Sequence, residues 1–89
     1  MGKKRRKLNK DFEKKIYSSK KNVELVLAKI YDINDEDIQK EYMSAFNQVV
    51  FLYDQLKDDY ERQGFSDNSE ELLANYKNAF NIFESEFEI

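Results

Sequence analysis

The sequence predicts an all-α protein, an antiparallel up-down-up three-helix bundle with a basic N-terminal arm. Three observations lead there. Apolar residues recur at alternating spacings of three and four in three separate segments, the pattern of a helix seam. The 89 residues contain no Pro and only two Gly, so little interrupts a helix. No segment shows the strict alternation of a half-buried strand.

Residues 1–8 form the arm. Its core is Lys3, Lys4, Arg5, Arg6 and Lys7, five adjacent like charges that repel one another and favour an extended or frayed chain. The first helix is expected over 9–31, with a seam of Phe12, Ile16, Ser19, Val23, Val26 and Ile30 and with Leu27 alongside. Asn9 suits its N-cap, and Asp11 and Glu13 suit the positive end of its dipole.

The second helix is expected over 35–63, with a seam of Ile38, Tyr42, Ala45, Val49, Leu52 and Leu56. Phe46, Tyr53 and Tyr60 form an adjacent row, which gives this helix the widest apolar arc, as befits one that touches two neighbours. The run Asn34 to Asp37 marks its start, and Gly64 marks its stop as a left-handed residue. The third helix is expected over 68–88, with a seam of Leu73, Tyr76, Phe80, Phe83 and Phe87. Asp67 or Asn68 is its expected cap, with Glu70 or Glu71 completing a capping box. Short connections near 32–35 and 64–68 favour antiparallel neighbours.

The composition restricts the chemistry. There is no Cys, hence no disulfide and no thiolate metal site. There is no His, which removes the commonest general base and transition-metal ligand. The run from Asp32 resembles a calcium loop only superficially: Asp37 stands where the loop needs Gly, and Met43 where it needs Glu. No Gly-rich phosphate loop or nucleophile motif is present. The expectation is a non-enzyme without cofactor or metal. No continuous apolar run suggests a signal peptide or membrane span, so a cytoplasmic protein is expected, or a nuclear one in a eukaryotic cell.

Charge is more informative. Residues 1–22 hold ten basic and two acidic side chains, a net +8, while residues 23–89 hold five basic and sixteen acidic, a net −11. The total of −3 therefore hides two opposed regions. Such asymmetry concerns partners more than fold. If the first helix extended back over the arm, Lys3, Lys7, Lys10, Lys14 and Lys21 would fall within about 60° of one another, opposite the apolar seam. These residues, with Lys4, Arg5 and Arg6, are the candidate nucleic-acid-binding set. No aromatic residue interleaves the arm before Phe12, so phosphate contact is expected and not base readout.

A second candidate surface lies on the middle helix. Phe51 projects roughly 160° from the centre of the apolar arc, among Asn47, Asp54 and Asp58. Phe51, Asp54 and Asp58 are the candidate protein-binding residues. A third acidic concentration is expected where the chain's turns bring Asp32, Asp35, Glu36, Asp37, Glu84, Glu86 and Glu88 together.

The function expected from these features is a non-catalytic accessory of a nucleic acid or nucleoprotein complex, with the arm on phosphate and the acidic body on protein. The alternative is a protein–protein regulator or inhibitor, of the phage or immunity-protein kind, acting through the surface around Phe51. A membrane surface is a lesser candidate partner, and the homo-oligomeric state is open.

Overall fold

The computed structural model describes residues 7–87. Three helices follow in order: α1 (Lys10–Tyr31), α2 (Glu36–Gln63) and α3 (Asp67–Phe87). No β-strand occurs among the described residues, only an isolated bridge between Lys7 and Gly64.

Local chemistry explains each boundary. Asn9 is extended, with φ −144° and ψ 107°, and its side chain accepts from the Phe12 N–H at 3.0 Å. Asp35 caps α2 by accepting from the N–H groups of Asp37 and Ile38 at 2.9 and 3.1 Å. At the start of α3 the capping residue is Ser66, not the expected Asp67 or Asn68. The Ser69 N–H donates to Ser66 Oγ at 3.2 Å and the Ser66 N–H to Ser69 Oγ at 2.7 Å, a reciprocal box closed by a second serine in place of Glu. Gln39 Nε2 covers the other end of α1, donating to the carbonyls of Ile30 and Tyr31 at 3.1 and 3.2 Å.

The core follows the three seams. Ile30, Phe46 and Leu56 are wholly buried, and Phe12, Val23, Val26, Val49, Leu73, Tyr76 and Phe83 nearly so. On α2 the buried arc is centred on Val49, Leu56 and the row of Phe46, Tyr53 and Tyr60. Of the six expected seam residues Val49 and Leu56 are buried, while Tyr42, Ala45 and Leu52 are half-buried on its flanks and Ile38 is 43% exposed. Large rings pull the centre towards themselves because they bury more area than Leu or Ile.

α2 lies against both of its neighbours, while α1 and α3 touch each other little. A ladder of rings joins α2 to α3. Tyr42 meets Phe87 and Phe46 meets Phe83, each with centroids 4.8 Å apart, and Tyr53 meets Tyr76 at 6.0 Å. Each such pair adds about 0.5–1.5 kcal/mol beyond simple burial. The one hydrogen bond described between α1 and α3 runs from the Tyr76 hydroxyl to the Ser19 carbonyl, at 3.2 Å.

Candidate anion-binding and protein-binding surfaces

The basic segment enters the body at a fixed point. Lys7 accepts a hydrogen bond from the Phe65 N–H at 2.6 Å, and its ammonium lies 6.0 Å from the Phe65 ring centroid. Two residues on, the Asn9 N–H donates to the Tyr60 hydroxyl at 3.1 Å, and that hydroxyl donates to Glu13 Oε2 at 2.6 Å. The Phe12 ring sits between those of Tyr60 and Phe65, at 5.6 and 5.1 Å. Lys7 and Asn9 are thus tied to the α2–α3 connection and to the last turn of α2, although Lys7 and Leu8 remain exposed. Lys3, Lys4, Arg5 and Arg6 lie outside the described residues.

Because Asn9 is extended, α1 does not run back through Lys7, so Lys7 does not join the helical stripe of Lys10, Lys14 and Lys21. What remains on α1 is Lys10, Lys14 and Lys21, all exposed on one face. Tyr17, which sequence reasoning did not single out, shares this face. It is 59% exposed, and the Lys21 ammonium lies 5.3 Å from its ring centroid. Among the described residues the one ion pair is between Arg62 and Asp58, at 3.2 Å. None of the α1 lysines therefore has a carboxylate within ion-pair distance among those residues.

The α2 surface places Phe51, Asp54 and Asp58 on one exposed face, in a shallow depression completed by Gln55, Lys57 and Glu61. Phe51 is 56% exposed. Asp58 is the carboxylate held by Arg62, one turn away, so this patch is partly neutralised within its own helix. At the far end of the molecule the Tyr42 hydroxyl donates to the Phe87 carbonyl at 3.2 Å, which brings the start of α2 beside the end of α3. The α3 helix has no basic residue in its last turn to balance its dipole.

Between α1 and α3 runs a groove of about 610 Å³. Its rim carries Lys14, Lys15, Lys29 and Lys77, of which Lys14 alone is among the candidate binding residues read from the sequence. No pattern in the sequence announces this groove, since it arises from the separation of two helices distant in the chain.

Burial pushes the Tyr53 and Tyr76 phenols above the ordinary value of 10.0, with nearby carboxylates adding to the effect. Asp59, 5% exposed, accepts from Asn68 Nδ2 at 3.1 Å through Oδ1, while its Oδ2 has no hydrogen-bond partner among the described residues. No group of three carboxylates close enough to hold a metal ion occurs among the described residues, and none of their helices is long and apolar enough to cross a membrane. Comparison with protein-family models, with characterised proteins and with solved structures gives no match.

Proposed function

We propose that the chain is a non-catalytic accessory of a nucleic acid or nucleoprotein complex. Its basic N-terminal segment and the outer face of α1 lie along phosphate, and its acidic body contacts protein. The observation that carries this reading is the set of cations on α1: Lys10, Lys14 and Lys21 are exposed, share a face and lack carboxylate partners among the described residues. Lysines in this state keep a counterion atmosphere that a polyanion would release, and that release drives binding.

The rest of the architecture fits the same role. Tethering Lys7 to Phe65 fixes where the basic segment joins the body beside α1, so Lys7 and the α1 lysines can act on one strand of phosphates. The helices are read as running up, down and up, with α1 and α3 parallel and α2 opposed to both. That course puts the arm at the pole opposite the acidic ends of α2 and α3, which repel phosphate and confine any contact to the basic pole. The reading places the chain inside the cell, with its partners.

The exposed Phe51 supports a second reading, in which a protein regulator acts through the α2 face. A gel-shift titration of a generic RNA and a generic DNA separates the two. Replacing Lys10, Lys14 and Lys21 together with Gln should weaken binding roughly tenfold or more at low salt, from the loss of about three phosphate contacts. Phe51→Ala should leave it unchanged. An unaltered titration curve for the triple replacement would remove the α1 face from the account.

A further inference from the structure

We infer that the groove between α1 and α3 is a docking site for an amphipathic helix of a partner protein whose apolar seam is flanked by Asp and Glu. This surface is distinct from the phosphate-facing one and shares only Lys14 with it.

The floor is apolar. Val26 and Tyr76 line it from buried positions, while Leu25 is 61% exposed and Phe80 half-buried, so apolar surface stays open along the helix pair. The rim is cationic. Lys14, Lys15 and Lys29 stand on the α1 side and Lys77 on the α3 side, against one carboxylate, Glu84. Lys14 and Lys15 belong to the basic first 22 residues, but Lys29 and Lys77 are two of the five basic residues in residues 23–89, which carry a net −11. Ordinary solubility would not concentrate lysines around an apolar trough. An acidic amphipathic helix answers both features, with apolar side chains on the floor and carboxylates on the rim.

Charge also selects against other occupants. The chain's own N-terminal cations share the sign of the rim. Phosphate could meet the rim lysines, Ser18, Asn22 and Asn81, but it would leave the apolar surface of Leu25 and Phe80 uncovered. The acidic α2 face of a second copy has suitable chemistry, but it would leave that copy's own groove open and propagate an unclosed chain.

The groove also fixes an orientation. The Tyr76–Ser19 hydrogen bond sets Tyr76 level with the middle of α1, so the neighbouring Lys77 falls between the two ends of the groove. One end holds Lys14 and Lys15, whereas Lys29 shares the other with Glu84. The negative C-terminal end of the partner helix therefore points towards Lys14 and Lys15. Lys14 to Lys29 spans about 22 Å, the length of roughly four helical turns.

The test measures fluorescence anisotropy of the full chain with synthetic helices of about four turns. One carries a Leu seam flanked by Glu, and two others replace every Glu with Gln or with Lys. The Glu peptide should bind about tenfold more tightly than the Gln peptide, as several rim pairs of 0.2–1 kcal/mol each require. Leu25→Asp should weaken it about tenfold. The double variant Lys29→Glu/Lys77→Glu should shift preference towards the Lys peptide. All three positions are exposed, and thermal melts verify folding; if Leu25→Asp fails to fold, the charge reversal decides alone.

Equal binding of the Glu and Gln peptides, or no effect of the charge reversal, overturns the inference. So does displacement of the peptide by a single-stranded oligonucleotide whose own binding is lost in Leu25→Asp. Self-association in sedimentation that Leu25→Asp abolishes would assign the groove to a second copy and overturn it too. Oligonucleotide binding that survives unchanged in the α1 and arm variants, with Glu-peptide binding intact, refutes only the nucleic-acid reading.

Discussion

At Gly64 the backbone leaves α2 with φ 80° and ψ −163°, a region essentially reserved for glycine. The sequence marks this glycine as a helix stop of the left-handed kind. The actual geometry is the extended mirror region, which lets Phe65 turn back to donate to Lys7. Gly64→Ala should therefore cost about 1–3 kcal/mol in chemical denaturation, more than a helix-end glycine in the left-handed well would. The N-cap at Asn9 was legible because its partner lies three residues away. The link from Tyr60 to Asn9 and Glu13 was not, because no local pattern encodes a contact between residues about fifty apart in the chain. The tyrosines add a pH-dependent effect. Tyr53 and Tyr76 have folded-state values raised by burial, so the folded protein holds their phenols neutral after the unfolded chain has begun to ionise its own. Their contribution is complete below pH of about 10 and declines as pH rises beyond it. Melting temperature should thus fall through alkaline pH, and less steeply in Tyr53→Phe; identical alkaline slopes would refute a role for that ring.

Among the elements, periodicity identified all three helices, since spacings of three and four give each one a single buried face. It was less exact about the middle of that face on α2, where Val49 and Leu56 hold but Phe46, Tyr53 and Tyr60 are buried in place of Ile38, Tyr42, Ala45 and Leu52. Ring size and the positions of two neighbouring helices decide this, and neither appears in a one-helix pattern. Leu56→Ala should accordingly cost about 2–5 kcal/mol, the range for truncating a wholly buried leucine. Leu52→Ala should cost less, and Phe51→Ala little, measured as shifts in denaturant midpoint. A Phe51→Ala cost equal to that of Leu56→Ala would contradict the placement of the α2 faces. The α1–α3 groove was the least legible feature, because its walls come from segments that each resemble an ordinary amphipathic helix.

For the whole molecule, the opposed charges of the first 22 residues and the remainder were legible from counting alone. Where they act depends on the fold. α1 carries its lysines on a face without carboxylate partners among the described residues, and Lys7 is fastened at the same end. The most direct test of the central claim is the salt dependence of oligonucleotide affinity, measured by fluorescence titration for the intact chain and for a variant with Lys3, Lys4, Arg5, Arg6 and Lys7 replaced by Gln. The account predicts a log–log slope of roughly −3 to −6 for the intact chain, as expected when several phosphates are neutralised. It predicts near-complete loss of affinity in the variant, with the melting temperature almost unchanged. Affinity that is insensitive to salt, or that survives the five replacements in full, would contradict it.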